Sequence, residues 1–246
     1  MDTTIETIDC ACVIHGDLYS WDYVERLYAM LMRNFTCKVN LHVFTEADRP
    51  VPDYMIKHEL VEWPGVVGRR RGWWYKMQMF NPDNFAGQLL YFDLDVVITK
   101  NLDWIRGLDP SCFWSIKDFK YLWRPEWRGI NSSVMYWDTQ KFKPIWQNFE
   151  DKEVGEFIQK YRGDQDYLSA VLDTKTLKFI DEKLVKSWRW EIFNGGLDMK
   201  TKIYRCKNAG AVIPPETCVV VFHGNPKPHE ISDPIMDKYW YNTIAN

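Results

Sequence analysis

The stretch Tyr91-Phe92-Asp93-Leu94-Asp95-Val96-Val97-Ile98 places two carboxylates, one residue apart, between two apolar runs. Residues 89–92 have the pattern of a short buried strand. A chain leaving such a strand can aim both aspartates at one divalent cation, because side chains beyond the strand no longer alternate between faces. Open α/β sheets place their ligands at the carboxyl ends of strands. The stretch therefore predicts a site for a divalent cation and a diphosphate.

The segments before this stretch predict an α/β fold. Residues 8–14 and 39–44 are predicted strands, and Asp22 is the predicted cap of a helix between them. The helix has apolar residues at the spacing of one face: Val24, Leu27, Tyr28 and Leu31. Strand, helix and strand in this order imply a parallel βαβ unit, hence a mostly parallel, Rossmann-like sheet flanked by helices. A short helix at 73–80 leads into the aspartate strand.

Further elements are predicted downstream. Strands are predicted at 112–116, 134–137 and 219–222, and helices at 142–149 and 165–172. Residues 120–129 fit neither the helical nor the strand period, so they are predicted to form a long loop over the site. No repeat or linker interrupts the pattern, and we predict one domain over residues 1–246.

Composition excludes several classes of protein. The 246 residues are 46% hydrophobic and 26% charged, as in a soluble α/β enzyme. A formal charge of −3 argues against a nucleic-acid partner, which usually requires a basic surface. No apolar run approaches the roughly 18 residues of a membrane span. Met1-Asp2-Thr3-Thr4 lacks the basic start of a signal peptide, so we expect a cytoplasmic protein.

Five short motifs follow one another along the chain. They are Trp74-Tyr75-Lys76, Asp93-Leu94-Asp95, Asn131-Ser132-Ser133-Val134-Met135, Gly163-Asp164-Gln165-Asp166 and His223-Gly224-Asn225-Pro226-Lys227-Pro228. In this order they resemble the motif series of GT-A fold glycosyltransferases, particularly the retaining family-eight group with glycogenin and bacterial galactosyltransferases. The resemblance implies a single GT-A domain and a nucleotide-sugar-dependent hexosyltransferase. Residues 1–100 then form the nucleotide-binding half and residues 101–246 the donor-sugar and acceptor half.

The resemblance also implies a metal and phosphate site. Asp93 and Asp95 match the aspartates that hold Mn²⁺ on a nucleoside diphosphate, and His223 matches the third metal ligand. Mg²⁺ is possible in place of Mn²⁺, although an imidazole nitrogen favours Mn²⁺. Gly224 and Lys227 match the phosphate contacts. A divalent ion and a lysine are suitable counter-charges for the negative charge that builds up on departing phosphates.

The remaining matched residues concern the sugar. They are Lys76 before the aspartate strand, Asn131 and Ser132 in the donor-sugar segment, and Asp164 and Gln165 beside the anomeric carbon. Ser133 stands where the family usually has glycine, and His229 where its last motif has tryptophan. The resemblance implies a UDP-sugar donor and retention of configuration. Either Gln165 or Asp164 can steady an oxocarbenium-like carbon. The acceptor, whether glycan, lipid or protein, stays open.

Two other functions also fit parts of the sequence. A haloacid-dehalogenase-like phosphatase also has Asp-x-Asp after a hydrophobic strand, but here two strands precede it and Val96-Val97 replaces the usual Gly-Thr. A non-catalytic sugar-nucleotide or glycan-binding module would need no intact acidic and basic set. The structural alternatives are that Asp164 caps a helix, that His223 is a core histidine and that Asn131 stabilises a turn. Arg69-Arg70-Arg71 is interpreted as a solvated loop, with contact to phosphate or acceptor as the alternative. Trp123, Trp127 or Trp188 is the expected platform for the acceptor.

Overall fold

The computed structural model describes residues 7–63, 66, 72–150, 154–207 and 210–243, and the Arg69-Arg70-Arg71 run lies outside them. The strands in the described part are β1 (Thr7–Val13), β2 (Lys38–Thr45), β3 (Ile56–Glu59), β4 (Gln88–Phe92), β5 (Val96–Ile98), β6 (Phe113–Lys117), β7 (Ile130–Asp138), β8 (Leu177–Phe179), β9 (Val185–Ser187), β10 (Gly196–Leu197), β11 (Tyr204–Arg205), β12 (Val219–Val221) and β13 (Ile231–Ser232). The α-helices are α1 (Asp22–Asn34), α2 (Lys143–Glu150), α3 (Val154–Lys160), α4 (Asp164–Val171) and α5 (Pro234–Tyr239).

Seven strands form the central sheet in the order β3-β2-β1-β4-β7-β6-β8. β1 pairs in parallel with β2 and β4, and β2 with β3, as the predicted βαβ unit requires. β7 is antiparallel to both of its neighbours, β4 and β6, whereas β8 is parallel to β6. The predicted class, an α/β fold with a mainly parallel sheet and flanking helices, is confirmed.

Side chains of the central strands alternate between two apolar layers. Along β4, Leu90 and Phe92 pack with α1 in one layer, and Leu89 and Tyr91 pack in the other. The second layer also contains Trp74, from the 3₁₀ helix at Gly72–Phe80, and apolar residues of α2 and α4. Because both faces of the sheet are covered, the ends of its strands are where a ligand can enter.

A small sheet joins the aspartate segment to the last third of the chain. β12 is its middle strand, antiparallel to β5 and parallel to β9. Val96 pairs with Val221, so the residues just before β5 lie beside those just after β12. The Phe222 N–H donates to the Asp95 carbonyl at 3.0 Å and extends this contact. A further small sheet contains β10, β11 and β13.

Several local expectations are corrected. β7 begins at Ile130, so Asn131 and Ser132 lie within a strand, because antiparallel pairing with β6 continues past a register shift at Ser115/Ile116. Asp164 is the first residue of α4 and Gly163 its N-cap, so Asp164 is not the cap. Trp21 occupies the N-cap of α1, and Asp22 lies in its first turn. In the part of the chain described, no helix is long and apolar enough to cross a membrane.

Candidate active site

Asp93 is the first residue after β4, at the carboxyl end of the strand. Its backbone N–H donates to the Ser133 carbonyl at 2.9 Å, which continues the β4–β7 pairing by one residue. The central sheet therefore holds Asp93 next to the segment that contains Asn131 and Ser132. Asn131 is buried, and its side-chain oxygen accepts the Ser133 N–H at 2.9 Å. This local bond is the one expected if Asn131 has a structural role, and it also holds the segment rigid.

Lys76 links Asp93 to α4. Its Nζ lies 2.6 Å from Asp93 Oδ1 and 3.7 Å from Asp164 Oδ2, and it donates to Ser132 Oγ at 3.1 Å. Ser132 in turn donates to Asp164 Oδ2 at 2.5 Å. Lys76 is only 7% exposed and Asp164 3%. A buried lysine requires a compensating carboxylate. Lys76, Asp93, Ser132 and Asp164 therefore form one hydrogen-bonded and ion-paired cluster at the end of the sheet.

The charges of this unit stabilise one another. Burial disfavours the charge of Lys76, but Asp164 and Asp93 outweigh that effect and raise its pKa above the ordinary value. Burial likewise opposes ionisation of Asp93, yet the Lys76 ammonium and the Tyr91 hydroxyl, which donates to Oδ1 at 2.6 Å, lower its pKa. For Asp164, burial prevails over Lys76 and the pKa is raised. Asp93 is therefore the more firmly ionised of the two carboxylates.

Asp95 has a separate set of partners. Its Oδ2 accepts the Tyr19 hydroxyl at 2.9 Å and is ion-paired with Lys227 Nζ. Burial raises the pKa of Asp95, the Lys227 ammonium opposes this effect, and the neighbouring charge of Asp93 reinforces it. Lys227 Nζ also donates to the Phe222 carbonyl at 3.3 Å and lies 5.6 Å from the centre of the Tyr19 ring. The two aspartates therefore each have a lysine of their own.

His223 follows β12 and faces the same region. Its Nε2 lies 2.7 Å from Ser187 Oγ, and its ring stacks on Phe119 with centroids 5.0 Å apart. Burial and the nearby Arg189 lower the pKa of His223 to about 4, so the imidazole is neutral near pH 7. The next residue, Gly224, has φ of +72°, and an added Cβ would lie 3.2 Å from Arg189 Nη1.

Two cavities meet at the aspartates. One, of about 490 Å³, is bounded by residues 15–19 of the loop after β1, together with Tyr91, Leu94 and Lys227. The other, of about 810 Å³, is bounded by Asn131, Ser133, His223 and residues 162–166, by Lys120 and residues 127–129 of the predicted loop, and by the adjacent Asp118 and Ile130. Both are bounded by Trp73, Lys76, Asp93, Asp95 and Gly224. The charged residues therefore lie where the two cavities adjoin.

The donor atoms match a divalent cation in type but do not converge as a metal cluster. Asp93, Asp95 and His223 all bound the larger cavity, and two carboxylates with a neutral imidazole suit Mn²⁺. Within the described ranges, no group of three His, Cys, Asp or Glu side chains is arranged to hold a metal. Asp93 is engaged by Lys76, Asp95 by Lys227, and His223 by Ser187. The residue types fit the ion, but all three of these contacts compete with it.

Most residues predicted from the motifs come together here. Those that bound one or both cavities are Lys76, Asp93, Asp95, Asn131, Asp164, Gln165, His223, Gly224 and Lys227. Ser132 is fully buried and contacts the site only through Lys76 and Asp164. The expected acceptor platform at Trp188 is wrong, because this side chain is fully buried and stacks on Phe222.

Sequence reasoning missed three residues of the site. Tyr19 and Tyr91 each give a hydroxyl to one aspartate, and no spacing rule connects them. Trp73 bounds both cavities, and a Cβ on Gly163 would lie 3.0 Å from its Nε1. A side chain at position 163 would therefore contact the Trp73 ring closely.

The sequence matches no known family profile and no curated protein. Structural similarity is found instead. The galactosyltransferase LgtC, in complex with donor and acceptor sugar analogues, superposes with a TM-score of 0.61 at 12% identity, covering 90% of this chain and 89% of LgtC. The glycosyltransferase GlyE of Streptococcus pneumoniae TIGR4 superposes with a TM-score of 0.64 at 12% identity, over 97% of this chain and 61% of GlyE.

The bifunctional glycosyltransferase WbbM gives a TM-score of 0.62 at 10% identity, over 99% of this chain and 50% of WbbM. The chain thus corresponds to nearly all of LgtC but to only part of GlyE and WbbM. At these identities the similarity concerns the backbone arrangement. The chain has the GT-A fold of the glycosyltransferases, and among them it resembles family-eight members such as LgtC.

Proposed function

We propose that the protein is a glycosyltransferase that moves a sugar from a nucleoside-diphosphate donor, a UDP-sugar by resemblance, to an acceptor hydroxyl. The observation that carries this proposal is the junction of two cavities at Asp93, Asp95, Lys76 and Gly224. A nucleotide sugar matches this arrangement, because its diphosphate joins two bulky groups, the nucleoside and the sugar, which could each occupy one cavity. The donor and acceptor sugar analogues bound by LgtC, which has the same fold, support the assignment.

The donor fits with its nucleoside in the 490 Å³ cavity and its sugar in the 810 Å³ cavity. Lys227 bounds the first cavity and Gln165 the second, and both cavities are bounded by the two aspartates. Gly224 has the left-handed backbone conformation that favours glycine, and because it has no side chain the diphosphate can approach the backbone there. Lys227 is then the counter-charge for the diphosphate. Its ammonium is ion-paired with Asp95 in this structure.

Asp93, Asp95 and His223 are the residues that would hold Mn²⁺ or Mg²⁺. The ion would supply a fixed counter-charge for the negative charge that develops on the diphosphate. Tyr19 and Tyr91 keep the two carboxylates oriented, and burial together with the adjacent aspartates raises the pKa of both phenols, so they remain hydroxyl donors. Lys76 prevents the buried Asp93 from taking up a proton.

Transfer exchanges one bond for another at the anomeric carbon. The bond from that carbon to the diphosphate oxygen breaks, the acceptor oxygen bonds to the same carbon, and the acceptor proton passes to the departing diphosphate. With retention, all of this takes place on one face of the sugar. Gln165 bounds the cavity beside Asp164, whose Oδ2 is committed to Ser132 and Lys76. We therefore assign the sugar contact to Gln165, and Asp164 positions Lys76. The active-site glutamine mutant of LgtC supports this choice.

A panel of nucleoside diphosphates and nucleotide sugars, with and without Mn²⁺, tests the proposal by thermal shift. Because a ligand that binds only the folded state raises the apparent stability, the correct donor should raise the Tm in the presence of Mn²⁺. Slow hydrolysis of that donor would exclude a non-catalytic binding module. An aspartyl phosphate at Asp93, formed from a phosphate ester, would instead indicate the phosphatase. Failure of every nucleotide to shift the Tm would contradict the proposed function.

A further inference from the structure

Two tryptophans form an exposed aromatic surface near the site. Trp123 is 52% exposed and Trp190 39%, and their rings meet edge to face with centroids 4.5 Å apart. Tryptophan has a large apolar surface and is usually well buried. Two contacting tryptophans that both face solvent therefore indicate a surface that a ligand covers. We call Trp123 and Trp190 the aromatic ledge.

The aromatic ledge contacts a residue that bounds the larger cavity. The Trp190 ring lies 4.2 Å from the His223 ring, centroid to centroid. The Trp190 backbone N–H donates to Ser187 Oγ at 3.1 Å, and the same oxygen lies 2.7 Å from His223 Nε2. His223 bounds the cavity that also contains Gln165. A ligand lying on the ledge therefore extends directly into the space where the donor sugar is proposed to bind.

Polar groups of paired charge lie along the same rim. Asp118 Oδ2 accepts the Trp127 indole N–H at 3.0 Å and lies 3.1 Å from Lys120 Nζ. Lys120 Nζ also lies 4.8 Å from the centre of the Trp127 ring. These three residues bound the larger cavity. Across it, the charge of Arg162 is matched by Asp166, whose Oδ2 lies 2.9 Å from its Nε.

This combination suits an uncharged saccharide. A pyranose ring offers a face of C–H groups that packs on an indole, and hydroxyls that exchange hydrogen bonds with charged side chains. Arg128 donates to the Pro125 and Trp127 backbone carbonyls rather than to a carboxylate. The residues that bound the larger cavity nevertheless include four cations (Lys76, Lys120, Arg128 and Arg162) and five carboxylates (Asp93, Asp95, Asp118, Asp164 and Asp166), so they do not provide the net positive charge that an anionic polymer or an anionic membrane requires. The chemistry of the surface therefore favours a neutral glycan.

We propose that the aromatic ledge binds the acceptor and that the acceptor is a neutral oligosaccharide, with one ring stacked on Trp123 or Trp190 and the next ring extending past His223. This inference rests on the proposed function, because it names the substrate that receives the sugar. It differs from the sequence-based expectation in excluding Trp188 and in adding Trp190.

The test measures binding of neutral di- and trisaccharides by saturation-transfer NMR and titration, with the protein held in nucleoside diphosphate and Mn²⁺. The probes are lactose, maltose, cellobiose, chitobiose and their trisaccharide homologues. Trp123→Ala and Trp190→Ala should each weaken binding about tenfold or more, a loss that corresponds to one stacking contact. Trp123→Phe should recover part of that loss. Tyr54→Ala, at a residue 53% exposed and hydrogen-bonded to Glu25, is the matched control and should change nothing.

The outcomes separate this inference from the proposed function. Donor hydrolysis by the wild-type protein without any acceptor tests the proposed function alone. If donor is hydrolysed but none of the saccharides binds, or binding is unchanged in both tryptophan variants, the ledge is not the acceptor site. Binding to vesicles of phosphatidylglycerol that depends on Trp123, without saccharide binding, would also overturn the inference and indicate a membrane surface.

Discussion

Lys227 is ion-paired with Asp95, although 132 positions separate the two residues in the chain. The ammonium contacts Asp95 Oδ2, and the Tyr19 hydroxyl donates to the same oxygen at 2.9 Å. Lys227 thus neutralises Asp95. If Asp95 holds a metal, as proposed above, Lys227 has to move from Asp95 to the phosphates, so metal and nucleotide should bind cooperatively.

Lys227→Ala should have opposite effects on metal binding and on turnover. Mn²⁺ alone should bind more tightly, because the competing ammonium is absent, whereas turnover should fall by about 10² or more, because a counter-charge matters most as the bond breaks. Calorimetry and steady-state kinetics measure the two effects, and Lys183→Ala, at an exposed lysine, is the control. A raised KM with unchanged turnover would show that Lys227 serves ground-state binding only.

Asp95→Asn should abolish Mn²⁺-dependent binding of nucleoside diphosphate while the fold is kept. The side chain keeps its size, but loss of the carboxylate should cost several kcal/mol of diphosphate affinity, on the order of a metal clamp. Titration calorimetry measures the affinity, and thermal unfolding checks the fold. Asp237→Asn in α5 is the matched control, at an exposed aspartate. Unchanged affinity in Asp95→Asn would remove Asp95 from the metal site.

Gln165→Ala should slow transfer by about tenfold or more while donor affinity changes much less, because its contact strengthens as positive charge develops on the sugar. Gln147→Ala, at an exposed position of α2, is the control. Proton NMR of the first-formed product should show retained configuration. An inverted product would contradict the retaining assignment and direct attention to Asp118 or Asp166, which bound the same cavity, as the general base.

Lys76→Met should destabilise the protein by about 3 kcal/mol or more at pH 7, because it leaves Asp93 and Asp164 buried without their counter-charge. Without the lysine both carboxylates take up protons more readily, so the deficit relative to wild type should shrink as the pH falls from 7 towards 5. Urea unfolding measures the free energy. Asp93→Asn in the Lys76→Met background should recover part of the loss. A deficit that does not depend on pH would indicate a packing defect instead.

His58 should make stability depend on pH. Burial and the neighbouring His42, whose Nδ1 lies 2.9 Å from His58 Nε2, lower the pKa of His58 to about 4. An unfolded histidine titrates near 6.5, so the unfolded chain binds more protons between those values, and stability should fall as the pH drops from 6.5 to 4. His223 has a similarly lowered pKa and contributes in the same direction. His58→Phe keeps an aromatic ring stacked on Phe44, and it should remove only the contribution of His58 to the pH dependence of the unfolding free energy. An unchanged slope in urea unfolding would contradict this prediction.

The sequence predicted features that depend on local pattern. The strand just before Asp93 and the helix after β1 follow from apolar periodicity, and both are confirmed. The residues around the site followed from motif order, and the structure brings Asp93, Gln165 and His223 to one cavity.

Contacts between distant segments were beyond such reasoning. The pairing of β5 with β12, the Lys227–Asp95 ion pair and the hydroxyl of Tyr19 join parts of the chain that no spacing rule relates. The exposure of individual tryptophans could not be predicted from the sequence either. Trp188 and Trp190 are two positions apart, yet Trp188 is buried in the core and Trp190 is exposed to solvent. Tertiary packing, rather than residue type, decides which of them can meet a ligand.

The pairing of β5 with β12 has a consequence for biosynthesis. Val96 and Val97 lie next to the aspartates, but their partners Val221 and Val220 are translated only after most of the chain. At about 5–20 residues per second, a ribosome that has made Asp95 needs on the order of ten seconds to reach Lys227. A nascent chain that ends before β12 contains both aspartates but lacks the strand that pairs with β5 and the lysine that pairs with Asp95. Ribosome-stalled chains ending before β12 should therefore have no donor-binding activity, and activity should appear only once that strand has emerged.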